Sequence, residues 1–325
     1  MERVFSGIQP TGKKHLGNYI GAIRHYVADQ ELGEAFYCIV DLHAITVPYD
    51  PATLTENTLD TAATLLAAGL DPGRCTLFVQ SDVTEHPVGA WLLGAVASMG
   101  ELRRMTQFKE KSHGQDSVSV DLFTYPVLQA ADILLYQTDR VPVGDDQRQH
   151  LELARDIAQR FNSRYGPTFV VPEAAIPSTG GRVMDLQDPA TKMSTTGGTP
   201  QGTVLVADPP ELVARKIKSA VTDSGREVRR GEGKEGIANL IEIHAIATGR
   251  TAEQIEAAYR DAGYGQFKAD VAEAVVEMLR PVRERYLELC GDQAALRAIL
   301  DQGADRARAV ASRTLATMKQ RMGFS

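Results

Sequence analysis

The sequence has few cysteines, and it lacks any long uninterrupted hydrophobic run. Its 325 residues include three cysteines, Cys38, Cys75 and Cys290, which lie far apart. Such spacing fits neither a disulfide framework nor a close-spaced metal cluster, so a reducing cytoplasm is the expected environment. No apolar stretch reaches the ~20 residues that cross a bilayer, and Met1 leads directly into a strand-like run rather than a signal peptide. We therefore expect a cytoplasmic protein without a membrane partner.

An excess of positive charge is also absent. The chain has 35 Lys and Arg residues against 42 Asp and Glu residues, which gives a net charge of −7. This balance argues against an indiscriminate nucleic-acid coat, although a local RNA-binding face is compatible with it. Basic residues do gather within residues 215–234 and 306–321. Charge alone favours a solvated helix surface for both clusters.

Length and pattern predict two domains, the first built on a parallel sheet. A chain of 325 residues exceeds one ordinary hydrophobic core. Strand-like and helical segments alternate over the first 145 residues, which predicts an α/β, doubly wound, Rossmann-like sheet. The predicted strands cover residues 3–8, 35–40, 75–79 and 141–143, and the predicted helices cover residues 17–25, 51–69, 86–104 and 145–162.

The second half of the chain has a different composition. Residues 172–208 are rich in Pro, Gly, Thr and Ser, which predicts a loop and hinge region. Beyond residue 210 the pattern is helical, without a strand-like run. We therefore predict a catalytic domain over residues 1–207 and a mostly helical domain over residues 208–325, whose last helix can pack back on the first domain.

Two short segments predict the chemistry. Residues 7–12 followed by residues 15–18 form a strand, a glycine-containing turn and a helix start, where backbone and free N–H groups can approach a ligand. An ordinary turn between strand and helix would use the same glycines. Residues 192–196 place a lysine in the flexible region about 180 residues later. Together, an amide cradle and a loop lysine predict the two halves of an ATP site.

These segments resemble the two motifs of class I aminoacyl-tRNA synthetases. His15-Leu16-Gly17-Asn18 resembles their His-Ile-Gly-His motif, and Lys192-Met193-Ser194-Thr195-Thr196 resembles their Lys-Met-Ser-Lys-Ser loop. Further segments narrow the resemblance to bacterial tryptophanyl-tRNA synthetases over essentially the whole chain. They are residues 5–10, 17–21, 105–109, 130–136, 141–150 and 264–270.

The resemblance implies two sets of binding residues. Asp132 matches the residue that accepts the indole N–H, whereas an isolated aspartate would more often cap a helix or pair with an arginine. Lys192, together with Lys111, would neutralise charge on the leaving pyrophosphate. The implied tryptophan site comprises Asp132, Phe5, Gly7, His43, Tyr125, Gln129, Val143 and Gln147. The implied ATP site comprises Gln9, Pro10, Thr11, His15, Gly17, Asn18, Gly144, Asp145, Asp146, Val183, Lys192, Met193, Ser194, Thr195 and Thr196.

The resemblance also implies a reaction and its partners. Tryptophan would be activated by ATP and then transferred to tryptophan tRNA. Mg²⁺ would be held mainly by the phosphates of ATP, with no metal site in the protein. The enzyme would act as a homodimer. Two positions depart from the family pattern: Thr195 replaces the second motif lysine, and Gln129 stands where a methionine is expected. Two alternatives stay open, namely a tyrosine-specific synthetase and a paralogue that has lost charging and binds RNA or a partner.

Overall fold

The computed structural model describes residues 2–112, 118–144, 147–175, 182–195 and 197–324, apart from the side chains of residues 110–112. A parallel sheet of five strands organises the first half of the chain. The strands are β1 (Arg3–Ile8), β2 (Glu34–Ile39), β3 (Cys75–Val79), β4 (Arg140–Pro142) and β5 (Glu173–Ala175). Their spatial order is β3-β2-β1-β4-β5. This order confirms the predicted doubly wound fold, whose direction reverses between β1 and β4.

Hydrophobic runs without alternation explain the central strands. Every residue of β3 is buried, and so are all residues of β2 after Glu34. Strands of a parallel sheet are covered by helices on both faces, so both faces must be apolar. Below one face, the ring of Phe36 stacks on Tyr136 with centroids 4.6 Å apart.

Helices cover both faces and fill the second half of the chain. The first helical segment, Leu16–Asn18, continues through a π-helical stretch, Tyr19–Ile23, into the helix Arg24–Asp29. No helix within the described ranges is both long and apolar enough to cross a membrane. The α-helices are α1 (Leu16–Asn18), α2 (Arg24–Asp29), α3 (Asp41–Ala44), α4 (Pro51–Ala67), α5 (Glu85–Leu93), α6 (Met99–Arg104), α7 (Thr106–Ser112), α8 (Val120–Leu134), α9 (Arg148–Tyr165), α10 (Pro210–Lys218), α11 (Glu235–Thr248), α12 (Ala252–Ala258), α13 (Tyr264–Cys290) and α14 (Gln293–Met322).

The structure differs from the predicted pattern in three places. The predicted helix over residues 86–104 is two helices, α5 and α6, because α5 ends at Gly94 and Ser98 adopts an extended N-cap conformation. The sequence also gave no sign of β5, since Glu173–Ala175 is short, lies at the sheet edge and follows a proline. Beyond residue 210 the chain is helical except for a loop over residues 219–234, which precedes α11.

The last helix returns to the sheet. Helix α14 packs along β3, and a Cβ added at Gly303 would lie 1.8 Å from the Leu77 carbonyl oxygen. Only a glycine permits this approach of the helix to the strand backbone. The predicted packing of the C-terminal helix on the sheet therefore has a structural basis, while the division of the chain at residue 207 stays a prediction.

Candidate active site

A cavity opens at the carboxyl ends of β1 and β4, where the strand order reverses. Its volume is about 360 Å³, at the small end of the ~300–1,000 Å³ typical of small-ligand pockets. Ligands of doubly wound sheets bind in the crevice at this switch point. Gln9 and Gly144 from the implied ATP site line this cavity. All eight residues of the implied tryptophan site line it as well: Phe5, Gly7, His43, Tyr125, Gln129, Asp132, Val143 and Gln147.

The Asp132 carboxylate is the centre of a buried hydrogen-bond network. The residue is 1% exposed and lies on α8 beside the cavity. Its Oδ2 lies 2.8 Å from His43 Nε2, and its Oδ1 lies 2.7 Å from Gln80 Nε2 and 2.6 Å from His86 Nδ1. The Tyr136 hydroxyl lies 2.8 Å from the other ring nitrogen of His86. Asp132 thus binds no arginine within the described residues; histidine and amide donors hold it.

These donors keep the carboxylate ionised. Burial acts to raise the pKa of Asp132, but the hydrogen bonds and charges of His43 and His86 outweigh it and lower the pKa to about 2. An ionised carboxylate accepts about four hydrogen bonds, two at each oxygen. Among the described residues, Oδ1 accepts two hydrogen bonds and Oδ2 accepts one, which leaves an acceptor position on Oδ2.

Further polar side chains line the cavity. The Tyr125 hydroxyl lies 2.8 Å from His150 Nε2, and burial raises the pKa of Tyr125 to about 12, so the phenol stays protonated. Gln129 Nε2 donates to Gln147 Oε1 over 3.4 Å. The two glutamine side chains that line the cavity, Gln129 and Gln147, are therefore hydrogen-bonded to each other.

The N-terminal motif forms a tight turn followed by a reciprocal helix cap. Gly12 has a φ of +63°, which favours glycine. The Asn18 backbone N–H donates to His15 Nδ1 over 3.3 Å, while the His15 backbone N–H donates to Asn18 Oδ1 over 3.1 Å. Because Nδ1 accepts, the ring proton of neutral His15 lies on Nε2. The side chains of both residues thus shape the helix start as well as offering N–H donors.

Positive charge surrounds this histidine. Burial, followed by the charges of Lys14 and Lys192, lowers the pKa of His15 to about 4. The imidazole is therefore neutral at physiological pH.

The two motifs meet through backbone and side-chain contacts. Leu16 N donates to Val204 O over 2.8 Å, which joins the helix start to the end of the lysine loop. Val183 packs against Gly17, and a Cβ added at Gly12 would lie 3.0 Å from Thr195 Oγ1. The segment that carries Lys192 therefore lies against the turn and helix start at residues 7–18, as the two motifs predict.

Backbone pairing shapes the lysine loop itself. Lys192 forms an isolated β-bridge with Met184, and Met193 N donates to Val183 O over 3.1 Å. Met193 is 1% exposed, whereas Lys192 is exposed. The buried methionine therefore anchors the loop while the lysine side chain extends into solvent beside the turn.

Four predicted site residues cannot be placed in this way. Asp145, Asp146 and Thr196 lie outside the described residues, and so does the side chain of Lys111, whose backbone belongs to α7. Among the described residues, no group of three or more His, Cys, Asp or Glu side chains is arranged to hold a metal ion.

Comparison with known proteins identifies the family. The sequence model described as tRNA synthetases class I (W and Y) matches residues 1–280. The chain belongs to this family. The Streptomyces avermitilis protein named tryptophan–tRNA ligase 2 is 54% identical over 326 residues, which cover 99% of this chain and 97% of that protein.

Solved structures of class I synthetases agree with this assignment. Tryptophanyl-tRNA synthetase from Mycoplasma pneumoniae has a TM-score of 0.89 at 37% identity and covers 100% of this chain and 98% of that one. The Campylobacter jejuni tryptophanyl-tRNA synthetase complexed with ADP and tryptophan has a TM-score of 0.87 at 36% identity, with 99% and 100% covered. The fold predicted from the alternating strands and helices is therefore that of the family.

Sequence reasoning missed two residues that hold Asp132 beside the cavity of this synthetase. Gln80 follows β3 and His86 lies on α5, yet both donate to Asp132. Neither residue belongs to a recognisable motif. Their role becomes visible only in the structure, which places them at the sheet edge beside α8. In the sequence, the one weak sign is that the polar residue Gln80 directly follows a buried strand.

Proposed function

We propose that the protein is a tryptophan–tRNA ligase whose cavity binds tryptophan with the indole N–H on Asp132 Oδ2. The proposal depends most on one observation: an ionised, buried carboxylate lines the cavity with an acceptor position left open. Indole is an apolar body with a single N–H donor. A buried acceptor discriminates strongly against ligands that leave it unpaired.

ATP is proposed to bind along the turn at residues 9–12 and the start of α1, with Lys192 at its phosphates. The tryptophan carboxylate attacks the α-phosphorus, the bond to the bridging oxygen breaks, and pyrophosphate leaves. Mg²⁺ enters with the nucleotide on its phosphates. A ribose hydroxyl at the tRNA 3′ end then takes the aminoacyl group and releases AMP. Neither step needs a protein nucleophile, so positioning and charge stabilisation supply the catalysis.

Amino-acid-dependent ATP–pyrophosphate exchange tests this function. We expect exchange with tryptophan, and a kcat/KM for tyrosine lower by at least about a thousandfold, as for sites that read a polar group. A preference for tyrosine would favour the tyrosine-specific alternative. No exchange with either amino acid, from protein that is folded, would favour the paralogue that has lost charging.

The tRNA is proposed to contact the helical half of the chain, but not through all of its basic residues. Buried Lys216 pairs with Asp208 over 2.7 Å, and half-exposed Arg230 pairs with Glu253 over 2.7 Å. Such residues are already committed within the chain and are poor candidates for phosphate contacts. Exposed basic side chains for which the structure gives no ion pair among the described residues are better candidates, for example Arg215, Lys218, Arg226, Arg313 and Lys319.

An apolar face is proposed to join two copies of this chain in the cytoplasm. A groove of about 760 Å³ runs between α5, α6 and α8, and its rim carries Trp91, Met99 and Val120, which are 84%, 61% and 73% exposed. Contiguous exposed apolar side chains of this kind mark interaction sites. Thr46 and Tyr125 line both this groove and the cavity, so a partner seated here would support the proposed tryptophan site.

We expect Trp91→Glu to convert the protein from dimer to monomer at micromolar concentration, because an interface would have to bury the new charge. Sedimentation equilibrium measures the mass. Leu287→Glu is the matched control, since Leu287 is 55% exposed on α13, away from the groove, and should leave the mass unchanged. A monomeric wild type, or a Trp91→Glu dimer, would contradict the proposal.

A further inference from the structure

Two adjacent lysines in the N-terminal motif have opposite environments. Lys13 is exposed, whereas Lys14 is 5% exposed. Burying an ammonium group costs free energy unless hydrogen bonds or an opposite charge compensate. A methionine would fill the same space without that cost, so the charge at Lys14 needs a reason.

The ammonium of Lys14 bridges the two ends of the turn. Its Nζ donates to Gln9 O over 2.8 Å and to Gly12 O over 3.4 Å. Gln9 lines the cavity, and Gly12 faces Thr195 of the lysine loop. The same side chain thus connects the wall of the proposed tryptophan site to the segment that contacts the loop.

The backbone of Lys14 is fixed as well. Its carbonyl oxygen accepts from Val206 N over 2.9 Å, which ties it to the strand-like segment after the loop. Because a trans peptide directs its N–H away from its carbonyl, holding Gly12 O toward Lys14 turns the Lys13 N–H the opposite way. The shape of the turn therefore depends on where the ammonium holds the two carbonyl groups.

We propose that Lys14 is a positioning residue for ATP, whose ammonium holds the Gln9 and Gly12 carbonyls so that the turn keeps the shape the nucleotide requires. This inference rests on the ATP site proposed above. Lys14 acts through the backbone and does not touch the reacting atoms. Its ammonium group donates to Gly12, and Gly12 lies next to Thr195. Thr195 occupies the position of the second lysine in the family motif.

The protonation of Lys14 provides a readout. Burial, opposed by the charge of Asp60, lowers its pKa from 10.5 to about 8. At pH 7 Lys14 is protonated in both states, and burying its charge lowers the free energy of unfolding. Between pH 8 and 10.5 the folded chain has lost this proton while the unfolded chain keeps it, so the free energy of unfolding rises with pH. Lys14→Met should therefore keep or raise the melting temperature while weakening the use of ATP.

The test compares Lys14→Met with Lys13→Met in tryptophan-dependent ATP–pyrophosphate exchange. For Lys14→Met we expect the KM for ATP to rise about tenfold, as for the loss of a charge-assisted hydrogen bond. The KM for tryptophan should stay within about twofold of the wild type, as should both constants in Lys13→Met, because that side chain makes none of these contacts.

A pH profile adds a second criterion. In the wild type, kcat/KM for ATP should fall as pH rises through about 8, because the ammonium deprotonates. The titratable groups that face Lys14 are Asp60 and His15, with the Tyr286 hydroxyl bonded to Asp60. Lys14→Met retains all three, so the loss of this fall in the variant would assign it to Lys14.

Each other outcome is decisive. An unchanged KM for ATP in Lys14→Met, while Lys192→Ala impairs exchange, would leave the ATP site standing and overturn the role of Lys14. A lower melting temperature with equal rises in both KM values would show that Lys14 is only structural. Exchange that neither Lys14→Met nor Lys192→Ala alters would refute the proposed ATP site itself.

Discussion

Asp132→Asn is expected to lower kcat/KM for tryptophan by roughly two to three orders of magnitude in pyrophosphate exchange. The carboxylate accepts from His43, Gln80 and His86 in a buried setting. An asparagine offers one oxygen and an N–H₂ group, so at least one of these donors would face another donor. In binding, removing one partner of a buried, hydrogen-bonded charged group costs about 2–5 kcal/mol, and each 1.4 kcal/mol is about tenfold in rate.

The effect should be confined to the amino acid. We expect the KM for ATP to change by less than about threefold, because the hydrogen bonds of Asp132 go to His43, Gln80 and His86 and not to the turn at residues 9–12. Asp156→Asn is the matched control, since Asp156 is an exposed aspartate on α9. Tryptophan kinetics within twofold of the wild type in Asp132→Asn would remove the proposed indole contact.

Acid should act on the same network. The pKa of Asp132 is lowered to about 2 from its ordinary value of 3.8, so the stability it provides is complete above about pH 4. That contribution is lost as the pH falls from about 4 through 2. Asp132→Asn should therefore flatten the acid limb of the unfolding curve measured by circular dichroism.

Lys192→Ala is expected to slow adenylate formation by roughly a hundredfold to a thousandfold, the usual loss when one transition-state charge donor is removed. The lysine is exposed and lies close enough to His15 for its charge to lower the pKa of that histidine. In the proposed ATP site its charge would act on a phosphate bound at the start of α1. Pre-steady-state adenylate formation measures the step, and tryptophan binding by fluorescence should be unchanged.

Thr195→Lys restores the family motif and should change the same rate by less than Lys192→Ala does. Thr195 already contacts Gly12, so a lysine here would reach the phosphates from the same side. Lys218→Ala, in which an exposed lysine on α10 is removed, is the control and should leave adenylate formation at the wild-type rate. A larger effect for Thr195→Lys than for Lys192→Ala would overturn the role assigned to Lys192.

Several features of the fold were predictable because they depend on local sequence. The predicted strand over residues 3–8 matches β1, and the one over residues 75–79 matches β3, because both are short apolar runs with clear ends. The helix predicted from residue 51 begins there, since Asp50 caps it and Pro51 suits its first turn. The break between α5 and α6 was missed because the residues between them are compatible with helix.

In the candidate site, too, some features follow from the local sequence and others only from the tertiary structure. The sequence by itself determined the alternating elements, the glycine turn and the lysine loop, because glycine, proline and hydrophobic period act over a few residues. Only the tertiary structure decided which donors surround Asp132, since Gln80, His86 and His43 are 52, 46 and 89 residues away from it. It also decided that Lys14 is buried while Lys13 is exposed, because burial depends on what packs over the turn rather than on the residue itself.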